Sequence, residues 1–269
     1  MSAIHPIPAF ADNYIWALLD ADSEAACVVD PGDPAPVLDY LQANGRRLVS
    51  ILVTHHHQDH VGGLGRLIEE YQPVVYGPDG IAGVSEVLRE GDEVTVFGIR
   101  FRVLEVPGHT LDHIAYFSAD GNAEDGSSKA EKKDAQPILF CGDTLFAAGC
   151  GRLFEGTPEV MFASLGKLAA LPPTSKVYCT HEYTLANLKF AAAAEAGNKA
   201  LKQRIDRETA RRADGQPTLP SNIALELATN PFLRCDRDEI RHTIQARTGQ
   251  QPGQDAEVFA ALRHWKDEF

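Results

Sequence analysis

The stretch VTHHHQDHVGG at residues 53–63 packs four histidines and an aspartate into the six positions from His55 to His60. Imidazole nitrogen and carboxylate oxygen together are the donors that suit zinc, iron or manganese. In the spacing H-x-H-x-D-H, His55 and His57 can point the same way from an extended turn, while Asp59 and His60 address a second position. A plainer reading exists for the tract alone, a His-rich exposed turn that binds metal adventitiously. More of the same residue types stand elsewhere. His109 follows LEVPG, Asp143 follows ILFCG and His181 follows KVYCT, each just past an apolar run, as His55 is past ILVT. One such residue after a strand is most often a turn residue. Four strand ends that each deliver a His or an Asp are what an α/β scaffold needs to converge side chains on one rim. Together these residues are too many for one tetrahedral ion and a sufficient number for two.

The elements that must position them are legible in outline. YIWALLD and AACVVD predict a hairpin pair, and DPGDPAPVLDYLQANG predicts a turn and then an amphipathic helix ending at Gly45. LVSILVT is a continuous apolar run, the mark of a strand buried on both faces, and it stops at Thr54 where the histidines begin. A helix over 64–71 and a strand at PVVYG follow. A second β series comprises EVTVFGIRFRVLEVPG, HIAYFSA and PILFCGD; the polar stretch 119–136 within it reads as a long surface loop, to which no function is assigned. TPEVMFASLGKLAALPP predicts a helix with Thr157 as N-cap, Pro158 in its first turn and Pro172 as its stop. KVYCT is one more strand. Beyond His181 the texture turns Ala-rich and helical, with no convincing strand, and DRDEI at 236–240 reads as an N-cap with Glu239 reaching back. These features place a boundary near 180, between a β-rich α/β domain at 1–180 and a helical domain at 181–269.

The chain as a whole narrows the chemistry. Its 269 residues, 44% apolar and 23% charged, fit a globular protein with one large domain or two. No window is apolar enough to span a bilayer, and the N-terminus lacks the basic and apolar regions of a secretion signal, so a cytoplasmic protein with no membrane partner is expected. Cys27, Cys141, Cys150, Cys179 and Cys235 are odd in number and contain no CxxC pair, which predicts buried reduced thiols and no cysteine-based zinc site. A formal net charge of −13 argues against nucleic-acid binding; a small anionic substrate requires a local collection of cations. No G-x-S-x-G is present, and a monomer is the expected state.

Residues 54–60, T-H-x-H-x-D-H, resemble the signature of the metallo-β-lactamase superfamily. That resemblance implies a four-layer αβ/βα sandwich with a dinuclear site at one edge. One metal would take His55, His57 and His109, the other Asp59, His60 and His181, and Asp143 would bridge them. The two ions would be divalent transition metals, zinc first, with iron or manganese as alternatives. GDTLFAAGCGRLFEGT at 142–157, HEYTLANLKFA at 181–191 and the terminal RHWKDEF are similar to the hydroxyacylglutathione hydrolase (glyoxalase II) family, over the whole chain. The function implied is hydrolysis of S-(2-hydroxyacyl)glutathione thioesters, chiefly S-D-lactoylglutathione, the second step of methylglyoxal detoxification. The helical domain would then hold glutathione.

By the same resemblance, Arg263 and Lys266 of the terminal R-x-x-K would pair with the glycine carboxylate of glutathione, and Tyr183 would donate a hydrogen bond to the tripeptide. Arg152 stands where Lys is frequent, and Phe154 where some members have Tyr, so no hydrogen-bonding role passes to Phe154. Asp59 would orient the attacking water and accept its proton. Alone, Arg263 and Lys266 are one helical turn apart and read as an ordinary solvated face. His5, His56, His113, His242 and His264 read as structural or exposed; behind the ligands, His113 and Asp30 of VVDPG are candidates for a supporting role, Asp30 by orienting a ligating imidazole. Two competing readings are a glutathione-persulfide dioxygenase with a single iron, and a non-catalytic metal-binding module. The first would lack the terminal R-x-x-K and the second would have lost a ligand.

Overall fold

The computed structural model describes residues 3–121 and 136–269, so most of the polar stretch 119–136 lies outside the described residues. Two compact units divide the chain: Met1–Glu105 with Asp112–Gly142, and Val106–Leu111 with Asp143–Phe269. The second unit begins well before the boundary expected near 180. Its first long helix, Pro158–Ala169, packs on the C-terminal helix Asp255–Glu268, so that segment belongs with the C-terminal helices rather than with the sheets before it.

The first unit opens with β1 (Ala3–Ala9), β2 (Asn13–Leu19) and β3 (Ala25–Val29), which pair antiparallel in sequence order. β1 is absent from the sequence expectation because two prolines interrupt its apolar pattern; as the edge strand of the sheet it tolerates them. α1 (Pro34–Ala43) follows, with Asp33 capping the Ala35 N–H, and then β4 (Arg47–Leu52). α2 (Gln58–Val61) and α3 (Leu64–Tyr71) lead to β5 (Val74–Gly77) and β6 (Glu86–Val87), and β3 through β6 pair in parallel. One face of this sheet buries Ile15, Ala17, Val28 and Ile51 against Val37 and Leu41 of α1 and Leu64 and Leu67 of α3. β4 alternates between exposed and buried residues over its first half and is continuously buried only over Ser50–Leu52. The apolar run therefore overstates the burial of its start, while its end is held firmly where it delivers the histidines.

A second β series in this unit, β7 (Glu93–Val96), β8 (Ile99–Glu105), β9 (Ile114–Ser118) and β10 (Ile138–Gly142), is antiparallel throughout. Tyr116 of β9 donates its buried hydroxyl to the Val53 carbonyl at 2.7 Å, which ties this series to the end of β4.

The second unit contains β11 (Leu145–Phe146) hairpinned with β12 (Gly149–Cys150), α4 (Pro158–Ala169), β13 (Lys176–Cys179), α5 (Thr184–Ala194) and α6 (Lys199–Ala213). Thr157 caps α4 through the Val160 N–H, as its position predicts. β14 (Ser221–Asn222) is a two-residue partner of β13, followed by α7 (Ile223–Thr229), α8 (Asp238–Thr248) and α9 (Asp255–Glu268). α8 starts at Asp238 without a side-chain cap, and Glu239 accepts the Gly197 N–H at 2.6 Å instead of reaching back. Arg204 of α6 is buried and bonded to Glu226 at 2.6 Å and to Thr229 at 2.6 Å, and Glu226 also accepts the Ala148 N–H. Both terminal nitrogens of this buried guanidinium are hydrogen-bonded, to Glu226, Thr229 and Ser221, which offsets part of the cost of burying the charge.

Candidate metal centre and its flanking cations

In the first unit the ligand candidates grow from the end of β4. His55 and His60 are fully buried, and His57 and Asp59 are partly exposed. His57 is extended (φ −61°, ψ 146°) and serves as N-cap of α2, which brings its ring 4.8 Å from that of His55; the His60 ring lies 4.0 Å from His55. The alternation anticipated for His55 and His57 is therefore present, while the exposed His56 turns outward to Asp112 at 3.0 Å.

Asp30 organises this turn. Its Oδ1 accepts the Thr54 N–H and its Oδ2 the Thr54 hydroxyl, both at 2.8 Å. His60 Nδ1 approaches the same Oδ2 at 3.0 Å, a charge contact outside good hydrogen-bond alignment. Asp30 holds a left-handed backbone (φ +52°), a conformation that costs about 1–2 kcal/mol for most side chains and less for Asp or Asn. Gly32 is required beside it, because a Cβ there would lie 1.9 Å from the Asp59 carbonyl. The buried His113 stacks on His55 at 4.6 Å and sends Nδ1 to the Ile114 carbonyl at 3.1 Å. Sequence reading missed one partner: Asn13, buried at the start of β2, donates from Nδ2 to Asp59 Oδ2 at 3.1 Å. A lone Asn in a hairpin carries no signal of such a long-range contact.

The second unit supplies the remaining candidates. Asp143 directly follows β10, and His181 lies just past β13. His109, Asp143 and His181 are all buried, with His109 Nε2 at 3.5 Å and His181 Nε2 at 3.3 Å from Asp143 Oδ2. His109 Nδ1 lies 2.8 Å from the Arg152 carbonyl, so Nδ1 carries the proton and Nε2 presents the lone pair toward Asp143. Tyr183 stacks on His181, with rings 4.6 Å apart and nearly parallel, and Phe146 meets both edge-on. Phe154, 63% exposed, packs edge-on against His109. The buried donors are all imidazole nitrogens and carboxylate oxygens with the proton of at least one imidazole fixed on the far nitrogen. That set fits a divalent transition metal.

Two of the candidate substrate-binding cations, Arg263 and Lys266, stand on α9, and Arg152 approaches its end through Asp267. Arg263 is only 4% exposed, which excludes the solvated-face reading for it. Its Nη1 donates to the Cys150 carbonyl at 3.0 Å and its Nη2 to Asp267 Oδ1 at 2.9 Å, and its guanidinium lies over the Phe232 ring. Arg152 Nε stands 3.7 Å from the same Asp267 oxygen, with a largely exposed side chain. Lys266 is half-buried with Nζ over the Phe190 and Phe269 rings. Burial first, then the neighbouring Arg263 and Arg152, push its pKa below the ordinary lysine value. Asp267 was also missed, although it sits inside the R-x-x-K-D run, because an acid next to a lysine reads as a simple surface pair. The five cysteines are buried and unpaired as disulfides.

Two family models match the chain: the metallo-beta-lactamase superfamily over residues 14–123 and the hydroxyacylglutathione hydrolase C-terminus over residues 182–269. A hydroxyacylglutathione hydrolase from Pseudomonas paraeruginosa is 51% identical over 272 residues, covering 100% of both chains. Among solved structures, ETHE1 from Myxococcus xanthus has a TM-score of 0.63 at 24% identity, covering 99% of this chain and 98% of that one. TTHA1623 in a di-iron-bound form has a TM-score of 0.56 at 25% identity, covering 85% of this chain and 100% of that one. The fold is the metallo-β-lactamase fold, with helices of a second kind at the C-terminus. On that fold the His/Asp clusters imply divalent metal binding. No helix among the described residues is long and apolar enough to cross a membrane.

Proposed function

The chain belongs to the hydroxyacylglutathione hydrolase family, and from that premise we propose that it hydrolyses S-(2-hydroxyacyl)glutathione thioesters, chiefly S-D-lactoylglutathione, to glutathione and D-lactate. The observation that carries the substrate half of this reading is the set Arg152, Arg263 and Lys266, three cations about one face of an otherwise acidic chain. In our reading two divalent ions would be held, with His55, His57 and His109 to take one, Asp59, His60 and His181 the other, and Asp143 available as a further ligand. Zinc is the first choice and iron or manganese the alternatives. Bound there, such ions supply hydroxide near neutral pH and polarise the thioester carbonyl.

The chain's own residues do the rest. Asp59, steadied through Oδ2 by Asn13, orients the attacking water and accepts its proton. Asp30 and the Arg152 carbonyl fix the orientation of His60 and His109. The departing thiolate belongs to a thiol with a pKa of about 8.5, so it leaves without an acid to protonate it. Arg152 and Lys266 meet the glycine carboxylate of glutathione, and Tyr183 donates to the tripeptide. Arg263, whose Nη groups are engaged by the main chain and Asp267, contributes positive charge without reaching the ligand itself. In this reading glutathione is held by the second compact unit, through Arg152 and the helical region 181–269, in a cytoplasmic monomer with no nucleic-acid partner.

The test is turnover of S-D-lactoylglutathione by protein of measured metal content. Loading that saturates at two equivalents, with hydrolysis in step, supports the reading. Fully loaded protein that leaves the thioester intact, or an iron form that instead consumes oxygen with glutathione persulfide, overturns it.

A further inference from the structure

We propose that Asp267 is a built-in counter-anion of the glutathione-carboxylate site, which holds Arg152 and Arg263 in the free protein and so weakens the grip on substrate and product alike. The inference rests on the reading above that Arg152 and Lys266 receive the glycine carboxylate of glutathione, with Arg263 beside them. Its basis is one shared oxygen: Asp267 Oδ1 lies 2.9 Å from Arg263 Nη2 and 3.7 Å from Arg152 Nε. The two arginines are not equivalent. Arg263 is buried and tied to the Cys150 carbonyl, so it cannot follow a ligand, whereas the Arg152 side chain is largely exposed and can swing. Asp267 itself is partly exposed, with 42% of its side chain accessible, so an arriving carboxylate meets its charge directly. Such a carboxylate must draw Arg152 away from Asp267 while Arg263 stays with it. Lys266, whose charge is disfavoured by burial and by both arginines, gains a compensating anion from either source.

The consequence is specific. Glutathione leaves with the same carboxylates with which the thioester arrived, so a competitor at this position raises KM and the product inhibition constant by a common factor. It leaves the reacting carbonyl untouched. A saturated anion site without the competitor would hold the product and slow its release. Asp267→Asn keeps an acceptor for Arg263 and removes only the charge.

Steady-state hydrolysis of S-D-lactoylglutathione, with added glutathione as inhibitor, tests this in the full-length metal-loaded protein. In Asp267→Asn, KM and the glutathione inhibition constant are expected to fall together by about two- to fivefold, the range of a partly exposed ion pair. The difference should shrink at high salt, where the Debye length is about 3 Å. Asp267→Glu, which keeps the charge, should show no such fall. Should Asp267→Asn melt early, Asp267→Ser carries the same test. Constants that stay level or rise in the neutral variants overturn the proposal. If the wild-type protein does not hydrolyse the thioester, the proposed function fails on its own. Calorimetric titration with glutathione then still decides this point, because equal affinity in wild type and Asp267→Asn refutes the counter-anion role.

Discussion

Replacing Asp30 with Asn exchanges one buried oxygen for an NH2 group and leaves the shape of the site alone. Asn tolerates the left-handed backbone at φ +52° as well as Asp does, so no new strain arises. The difficulty is one of donors. The Thr54 N–H and hydroxyl and His60 Nδ1 all face this carboxylate, at 2.8, 2.8 and 3.0 Å. Asn can keep Oδ1 toward the Thr54 N–H, and the Thr54 hydroxyl can rotate to accept. His60 Nδ1, facing an NH2 group, must then give up its proton to Nε2. A proton on Nε2 occupies the lone pair with which His60 would bind metal through that atom. Removing the outer partner of a metal-bound imidazole typically costs ~10- to 100-fold in metal affinity, and that is the loss expected here. Titration of the metal-free variant against a chromophoric chelator reads the weaker site, and thermal melting of the same sample reads stability. We expect weaker binding of one equivalent and, because Asp30 is 2% exposed, a stability loss of about 1–3 kcal/mol. A variant that melts early yet binds both equivalents with wild-type affinity would show that Asp30 braces the turn without setting the His60 tautomer.

The other expectations concern three different parts of the site. Asp59→Asn keeps an oxygen that can accept from Asn13 but loses the base, so kcat should drop at least ~10²-fold with a smaller change in KM; near-normal kcat at full metal loading would reduce Asp59 to a ligand at most. Lys266 titrates below the ordinary lysine pKa of 10.5, because burial and then Arg263 and Arg152 disfavour its charge. Its positive charge is therefore lost early as pH rises, and KM for the glutathione thioester should climb before pH 10.5 is reached; a pH–KM profile that stays flat through that region, or is unchanged in Lys266→Ala, counts against it. Gly151→Ala would place a Cβ 2.1 Å from the Asp143 carbonyl oxygen and 3.0 Å from His109 Nδ1, so metal content and melting temperature should fall together, by about 1–3 kcal/mol in stability. Native melting and native metal content in that variant would contradict the close packing.

What the sequence made legible follows the reach of each signal. Strand ends were readable because an apolar run stops where a polar residue with no partner in the pattern begins, and Leu52, Gly142 and Cys179 do close their strands just ahead of His55, Asp143 and His181. The Thr157 cap was readable because capping acts within one turn. Glu239 was misread for the converse reason: a local template competes with the Gly197 N–H from a distant turn, and tertiary contact won. Asn13 escaped because its partner Asp59 is far away in sequence. Arg263 and Lys266 share a spacing yet differ in environment, one sealed beneath Phe232 and the other half-buried, and helical periodicity alone assigns them the same face.

The short backbone from Gly149 to Arg152 explains why one neighbouring substitution can be mild and another severe. The Cys150 carbonyl accepts from Arg263, the Gly151 N–H donates to the Thr144 carbonyl, and the Arg152 carbonyl receives the His109 Nδ1 proton. The main chain of residues 150–152 thus supports both the Arg263 guanidinium and the His109 ring. The duty toward His109 belongs to the main chain of residue 152, so it survives any side chain that keeps the backbone path. The side chain of Arg152 is left to face Asp267, where a lysine would supply charge with different geometry. That division predicts that Arg152→Lys would leave the main-chain contact to His109 in place. It also accounts for Gly151, where the demand is on the backbone's closeness to Asp143 and His109 and no side chain can meet it.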